Sequence, residues 1–347
     1  MLQLLNIRRV QGEQRKIARP VLPLRILINN NVVIIEYSDG SREPPACLRC
    51  PDAPCLRYQP DELQLSDVLM FPGDGDLSVC PTKALDWPID SRGGPSVNIN
   101  LCIGCGLCVQ RCPVGAIQLG IDGIAKILDE DTQTLKRSES AETESTKSAF
   151  FKAVRLSQMV ITSDAHIERL TERISSIGVN SSPKFSNLLT RNLLIGVGWN
   201  ASMRRAGDTN VRMDLIAQNK SLIFVTEVEF SDAVIDAPRS VLDGISVLKM
   251  RYGLNINLIS GLVVVYALPN QRSEYWHVIS DIEKILNVRI YTISAAALIL
   301  LLWEGCTLNW LPFVSLEKTS IRSDIEKNLN RNLSLTLGIA AALEVPK

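Results

Sequence analysis

A short loop dense in cysteine constrains this chain more than any other feature of its sequence. Its four cysteines are separated by two, two and three residues, and they are Cys102, Cys105, Cys108 and Cys112. Gly104 and Gly106 lie among the first three, where glycine lets the backbone curl tightly. Three thiols on so short a loop can surround one metal cluster, but the fourth, which Pro113 follows, cannot reach it. The spacing therefore predicts a second set of ligands elsewhere in the chain.

Four further cysteines precede this loop. They are Cys47, Cys50, Cys55 and, after a long insertion, Cys80, which Pro81 follows. Pairs spaced C-x2-C also occur in zinc sites, and clustered cysteines can form disulfides. Zinc sites have no reason for a proline after both fourth cysteines, and the absence of a signal peptide argues against disulfides. The pattern favours iron–sulfur ligation over both alternatives.

Residues 45–120 resemble a bacterial-type ferredoxin domain with two [4Fe–4S] clusters. The phrases SVCPTKALDWP and CIGCGLCVQRCPVGAI carry the resemblance. It implies an α+β ferredoxin-like fold and a crossed pairing of the cysteines. One cluster would be held by Cys47, Cys50, Cys55 and Cys112. The other would be held by Cys102, Cys105, Cys108 and Cys80.

Composition narrows the function classes. The chain has 347 residues, with 37 Lys and Arg against 37 Asp and Glu, so no general positive charge announces a nucleic-acid partner. Only two histidines occur, which makes histidine-based catalysis unexpected. The most apolar run, residues 295–303, is too short to span a bilayer. We expect a soluble, cytoplasmic protein without a membrane partner, in a compartment where thiols stay reduced.

The chain divides into three parts by sequence texture. Residues 1–127 are predicted to form the ferredoxin-like domain, with an accessory hairpin at residues 24–37. Residues 128–150 are acidic and rich in serine and threonine, which predicts a linker. Residues 151–347 alternate helical and strand patterns, which predicts a mixed sheet flanked by helices.

The second part of the chain contains a regular series of predicted elements. Helices are predicted at residues 165–177, 183–195, 238–252, 274–286 and 321–342. Strands are predicted at residues 211–217, 222–230, 258–268 and 288–293. Residues 298–303 are predicted to be core.

Three acidic residues lie on the central predicted hairpin. Glu227 and Glu229 share one face of their strand because side chains alternate, and the preceding strand can bring Asp214 beside them. Acids so close repel each other unless a cation neutralises them, and oxygen ligands suit Mg²⁺ or Mn²⁺. The alternative is a solvated sheet face, but Ile223 and Val225 on the same face argue against it.

Residues 183–303 also resemble the PD-(D/E)xK nucleases, which include many restriction endonucleases. The order of elements carries this resemblance, together with Asp214 at the first acid of the motif and Glu227 at the second. Glu229 stands where most members have lysine, as in the E-x-E variant. The resemblance implies an α/β restriction-endonuclease-like fold, a catalytic and metal-binding role for the three acids, and DNA as substrate. Arg204, Arg205 and Arg212 are candidates for phosphate contacts, or else an exposed loop.

The leading hypothesis from sequence is an iron–sulfur-containing, Mg²⁺-dependent DNA endonuclease, in restriction or phage defence. A homodimer is compatible with it, since double-strand cleavage commonly needs two active sites. The alternative is a ferredoxin-type electron-transfer or redox-sensing protein with a redox or defence-complex partner. A third hypothesis is a non-catalytic subunit of a DNA-processing complex.

Overall fold

The structure is a computed structural model, and it describes most of the chain. The described residues are 23–29, 32–37, 53–65, 73–87, 95–112, 116–127, 164–205, 207, 211–219, 222–231, 234–305, 312–330, 332–333 and 337–347. The predicted linker, residues 128–150, lies outside them, as do Cys47 and Cys50.

Short antiparallel strand pairs form the first part of the chain. The predicted hairpin consists of β1 (Pro23–Asn29) and β2 (Val32–Tyr37). β3 (Leu85–Asp86) pairs with β4 (Ser96–Val97), and β5 (Ile117–Leu119) pairs with β6 (Ala125–Ile127). A single helical turn, α1 (Leu107–Gln110), lies between these two pairs. The cysteine-rich loop therefore runs between two small ribbons.

A five-stranded mixed sheet organises the second part of the chain. Its strands are β7 (Asn200–Met203), β8 (Leu215–Asn219), β9 (Leu222–Glu229), β10 (Ile259–Val265) and β11 (Ile290–Ser294). They lie in the order β11-β10-β9-β8-β7. The first three form an antiparallel meander, whereas β10 runs parallel to β9 and β11 parallel to β10. This is the mixed sheet that the sequence predicts.

Helices cover both faces of this sheet and extend from it. They are α2 (Asp164–Arg173), α3 (Val179–Ser181), α4 (Phe185–Gly196), α5 (Ala237–Tyr252), α6 (Glu274–Leu286), α7 (Ala295–Trp303), α8 (Arg322–Leu329) and α9 (Leu337–Leu343). A π-helical segment, Ile174–Gly178, continues α2. On one face Leu188 of α4 packs with Leu215 and Val228. On the other, Gly244 of α5 lies close against Val225.

Three elements differ from the sequence-based prediction. β7 was not predicted, because only four residues form it and the last three are all buried, so no alternation marks it. β8 begins at Leu215 rather than at residue 211, which leaves Asp214 just before the strand. The single helix predicted at residues 321–342 is instead α8 and α9. Asn330, with φ of 54°, ends α8 in the left-handed conformation.

The two parts of the chain share one hydrophobic core. Buried side chains of the cysteine-rich region, among them Tyr58, Leu107 and Val109, belong to the same cluster as the sheet and α7. The described helices include none with the length and apolar character that crossing a membrane requires.

Candidate functional site

Cys80 and the cysteine-rich loop surround one small cavity. Four thiols contribute to its lining, and they are Cys80, Cys102, Cys105 and Cys108. The rest of the lining is mostly apolar and includes Leu85, Val97 and Leu107. These four cysteines are the set that the ferredoxin resemblance assigns to one cluster. Cys80 precedes β3 and β4 in the chain, and the fold places it beside the cysteine-rich loop that follows these strands.

Two glycines let the loop close around this cavity. Gly104 and Gly106 have φ of 81° and 82°, a region that favours glycine. A Cβ atom at Gly104 would overlap the carbonyl oxygen of Gly123, and one at Gly106 would lie 2.8 Å from Nε1 of Trp303. Both glycines are therefore required by conformation and by close approach.

The cysteine sulfurs accept backbone hydrogen bonds. The N–H of Ala84 donates to Sγ of Cys80 over 3.2 Å, and the N–H of Ala116 donates to Sγ of Cys112 over 3.1 Å. Such N–H groups stabilise the negative charge that thiolates carry as metal ligands and help to set the potential of an iron–sulfur cluster. Only Cys80 is not fully buried among the described cysteines.

The buried thiols fit a metal cluster better than free cysteines. Burial raises the pKa of Cys105 and Cys108, and the neighbouring cysteines raise it further. A metal would bind these residues as thiolates, and the positive charge of iron would offset the cost of removing their protons. The donor set, the apolar lining and the N–H donors all suit an iron–sulfur cluster.

The second predicted cluster is described only in part. Cys55 and Cys112 are both buried, and the charge of Cys55 contributes to the raised pKa of Cys108. Cys55 therefore lies close to the first cavity. The other two predicted ligands, Cys47 and Cys50, lie outside the described residues.

Side chains from the second part of the chain hold the cysteine-rich region. Nε1 of Trp303, at the end of α7, donates to the carbonyl oxygen of Cys105 over 2.9 Å. Nδ2 of Asn192 donates to the carbonyl oxygens of Ser78 and Val79, just before Cys80. The sequence analysis did not identify Asn192 as a functional residue. The one sequence feature that could have indicated it is the polar pair Arg191 and Asn192 within an otherwise apolar helix.

Two of the three predicted acids lie side by side. Asp214 accepts hydrogen bonds from Nδ2 of Asn187 over 3.1 Å and from the N–H of Val228 over 3.1 Å. The charge of Asp214 acts on Glu227 and raises the pKa of its carboxyl, so the two acids lie close together. Burial raises the pKa of Asp214, although Val228, Asn187 and Arg204 oppose the rise.

Glu227 is the more perturbed member of this carboxyl pair. Burial, followed by the charge of Asp214, raises its pKa to about 8. Its Oε1 atom is buried and has no hydrogen-bond partner among the described residues. A buried oxygen in this state favours either a proton or a cation beside it.

Glu229 lies near the carboxyl pair but is engaged elsewhere. Its charge contributes to the raised pKa of Asp214, while its Oε1 atom accepts hydrogen bonds from the N–H and the hydroxyl of Ser231. In the described part of the chain, no three His, Cys, Asp or Glu side chains are arranged around one point where a metal ion could sit. The three-acid metal site and the ligand role of the cysteines stay predictions.

The arginines near the acids have different environments. Arg204 donates to the carbonyl oxygens of Val211 and Arg212 and lowers the pKa of both Asp214 and Glu227. Arg212 pairs instead with Asp243 of α5 over 2.8 Å. Of these two arginines, Arg204 is therefore the one whose charge acts on the carboxyl pair.

The cysteine-rich loop is similar in sequence to known proteins. Residues 95–118 match the family of 4Fe-4S binding domains. A probable ferredoxin of Methanosarcina thermophila is 58% identical over 31 residues, which are 9% of this chain and 53% of the relative. An uncharacterised ferredoxin of Methanocaldococcus jannaschii is 32% identical over 85 residues, 24% of this chain and 37% of the relative.

A third relative belongs to an oxidoreductase. The polyferredoxin-like subunit of an aliphatic sulfonate oxidoreductase from Pyrococcus furiosus is 31% identical over 85 residues, 24% of this chain and 36% of the relative. The chain thus spans between 36% and 53% of the length of these relatives. No solved structure matches the chain. The family match and the ferredoxin relatives show that the chain carries a ferredoxin-like [4Fe–4S] binding domain around residues 95–118.

Proposed function

We propose that this protein is an iron–sulfur electron-transfer or redox-sensing protein that holds two [4Fe–4S] clusters and exchanges electrons with a redox partner. The observation that carries the proposal is the single cavity lined by Cys80, Cys102, Cys105 and Cys108. The similarity to ferredoxins and to a polyferredoxin-like subunit supports it.

The chain's own residues favour this role. The buried side chain of Leu107 lines the cavity and keeps water from it, and the N–H of Ala84 donates to the sulfur of Cys80. A bound cluster supplies reversible one-electron chemistry, with a potential that burial and such hydrogen bonds tune. In this proposal Cys47, Cys50, Cys55 and Cys112 hold the second cluster.

The test uses full-length protein purified without oxygen. We expect iron and sulfide at two clusters per chain and a reversible reduction that electron paramagnetic resonance detects. Cys105→Ser should lose one cluster, because it removes one predicted ligand, whereas Cys306→Ser should lose none. Protein that holds no iron and sulfide, or holds them without reversible reduction, would contradict the electron-transfer proposal.

A second candidate function is divalent-metal-dependent DNA cleavage at a restriction-endonuclease-like sheet, in a homodimer or a defence complex. The specific observation in its favour is the half-buried carboxyl pair of Asp214 and Glu227, in which the buried Oε1 of Glu227 has no hydrogen-bond partner among the described residues. These oxygens fit a hard cation, and a bound Mg²⁺ or Mn²⁺ would neutralise them and polarise a phosphodiester. Glu229 would assist, and Arg204 would contact DNA phosphate. A non-catalytic role in a DNA-processing complex is the remaining form of this candidate.

Cleavage of plasmid and phage DNA with Mg²⁺ or Mn²⁺ tests the second candidate. We expect wild-type protein to cleave and Glu227→Ala not to, while Glu168→Ala, which removes an exposed acid of α2, should cleave as the wild type does. Equal cleavage by wild type and Glu227→Ala would indicate a contaminant. No cleavage by protein with intact clusters would contradict the endonuclease and leave electron transfer or the non-catalytic role.

A further inference from the structure

Helix α4 carries a polar pair in its buried middle. Arg191 and Asn192 are both 0% exposed, between the buried Leu189 and Leu193. A guanidinium and an amide are costly to bury unless hydrogen bonds satisfy them. Their partners therefore indicate why the helix contains them.

These partners all lie in the segment that leads to Cys80. Arg191 donates to the carbonyl oxygen of Asp76 over 2.6 Å and to that of Ser78 over 3.3 Å. Asn192 donates to the carbonyl oxygens of Ser78 over 2.9 Å and Val79 over 2.8 Å. Nε of Arg191 donates to Oδ1 of Asn192, so the two side chains act as one unit.

The same segment is attached to the edge of the sheet. The N–H of Asp74 donates to the carbonyl oxygen of Met203 in β7 over 2.8 Å, and Gly73 forms a bridge with Arg204. Lys184, just before α4, pairs with Asp74 over 2.6 Å. The segment from Gly73 to Val79 is thus held along both α4 and β7.

Helix α4 also positions the carboxyl pair. Asn187, about one turn before Arg191, donates to Oδ1 of Asp214. Arg204, which follows β7, is the cation that lowers the pKa of Asp214 and Glu227. One helix therefore touches both the segment before Cys80 and the carboxyl pair.

We propose that Arg191 and Asn192 are positioning residues for the cluster-binding Cys80, and that α4 couples this cluster site to the carboxyl pair of Asp214 and Glu227. The proposal rests on the proposed role of Cys80 as a cluster ligand. Four hydrogen bonds reach three backbone carbonyls just before Cys80, those of Asp76, Ser78 and Val79. They fix the backbone that presents the Cys80 thiol to the cysteine-rich loop. The second part of the chain thus completes a cluster whose other three ligands lie on one loop.

The first arm of the test measures cluster content in the full-length chain. Asn192→Ala and Arg191→Met remove the donors, while Arg191→Lys keeps the charge but not the two-pronged geometry. Arg322→Met is the matched control, because Arg322 also donates to a backbone carbonyl, that of Leu333, but on α8. The readouts are iron and sulfide per chain, the paramagnetic resonance signals of the reduced protein and the melting temperature.

We expect Asn192→Ala and Arg191→Met to lose about half of the iron, since only one of the two clusters uses Cys80. One resonance signal should disappear while the other remains, and Arg191→Lys should restore part of the missing signal. Arg322→Met should keep both signals at a similarly reduced melting temperature. Full iron content and unchanged signals in Asn192→Ala and Arg191→Met, or equal iron loss in Arg322→Met, would overturn the positioning role.

The second arm uses wild-type protein and does not depend on a variant that folds. Hydrogen exchange is measured peptide by peptide before and after a chelator removes the iron. We expect exchange to become faster in α4 and β7 by a larger factor than in α6, which packs on α5. Unchanged exchange in α4 would overturn the coupling. If the purified wild type holds no iron, the proposed function fails instead, and the two failures are therefore distinguishable.

Discussion

Two single residues lie in environments that few other side chains would tolerate. Glu227 is half-buried beside Asp214, and its pKa rises to about 8 because less water stabilises its charge and Asp214 repels it. Gly104 adopts a left-handed conformation against the carbonyl oxygen of Gly123. In each case one local property, charge or the lack of a Cβ atom, makes a specific substitution informative.

Replacing Glu227 by glutamine is expected to stabilise metal-free protein at alkaline pH. The folded-state pKa of about 8 lies above the ordinary value of 4.5, so wild-type stability falls as pH rises from about 4.5 to about 8. Glutamine does not titrate and avoids this loss, which a rise in pKa from 4.5 to about 8 places on the order of 5 kcal/mol at pH 9. Urea unfolding at pH 5, 7 and 9 measures the free energy of unfolding of both proteins. Glu168→Gln, at an exposed glutamate, is the control. Equal stability of wild type and Glu227→Gln at pH 9 would show that the pair is not perturbed.

Replacing Gly104 by alanine is expected to damage the cysteine-rich loop. Gly253 provides a matched control, because it also has positive φ, 65°, but a Cβ atom there would meet nothing within 4 Å. Gly253→Ala should cost about 1 kcal/mol from backbone conformation alone. Gly104→Ala should cost more and also lower the iron content, since the loop must move away from Gly123. Equal unfolding free energies and equal iron content in the two variants would contradict this prediction.

Among the elements, helices α4 and α7 link the two parts of the chain. Every residue of α7 is buried, as expected for a helix that is apolar all round. Its last residue, Trp303, donates to the carbonyl oxygen of Cys105. The amide of Gln110 at the end of α1 donates to the carbonyl oxygen of Gly196 at the end of α4. Both helices therefore end against the cysteine-rich loop.

Replacing Trp303 by phenylalanine is expected to weaken cluster retention. The change removes a buried N–H bond worth about 1 kcal/mol and leaves the carbonyl of Cys105 unpaired. Trp276→Phe is the control, since it also removes an indole hydrogen bond, to the carbonyl of Asn270. Both variants should be destabilised, but only Trp303→Phe should release iron faster to a chelator. The same release rate in both would mean that α7 does not support the loop.

At the scale of the whole molecule, the cysteine-rich region and the mixed sheet pack as one body. The hydrophobic core is continuous between them. Polar contacts join them as well: His166 and Arg169 of α2 both bond the carbonyl oxygen of Ile121, over 2.7 Å and 3.0 Å. The division into domains at residues 1–127 and 151–347 stays a prediction, and the core that the described residues of both parts share favours cooperative unfolding.

Removal of the iron is expected to lower the stability of the whole chain in one step. A ligand that binds only the folded state stabilises everything that unfolds with it. Calorimetry, with circular dichroism for the helices and tryptophan fluorescence for the core, should therefore give a single transition that moves to lower temperature. Two transitions, of which the upper one has the same midpoint temperature with and without iron, would show instead that the sheet unfolds independently.

Features that depend on neighbouring residues were readable from the sequence. The spacing of three cysteines and two glycines on one loop predicts a cluster, and the observed positive φ of both glycines agrees with it. Alternation and helical periodicity predicted most of the strands and helices, and placed Asp214 beside Glu227. These signals are local because strand and helix geometry repeat over a few residues.

Contacts between distant residues were decided only by the tertiary structure. The hydrogen bonds of Asn192 to Ser78 and Val79 join positions more than 100 residues apart, and no periodicity in the sequence records them. No periodicity records the hydrogen bond of Asn187 to Asp214 or that of Trp303 to Cys105 either. The sequence by itself determined the spacing of the cysteines and acids that are the candidates for the chemistry. The fold decided which buried donors hold them in place, because a buried carbonyl is satisfied by whatever donor packing brings to it.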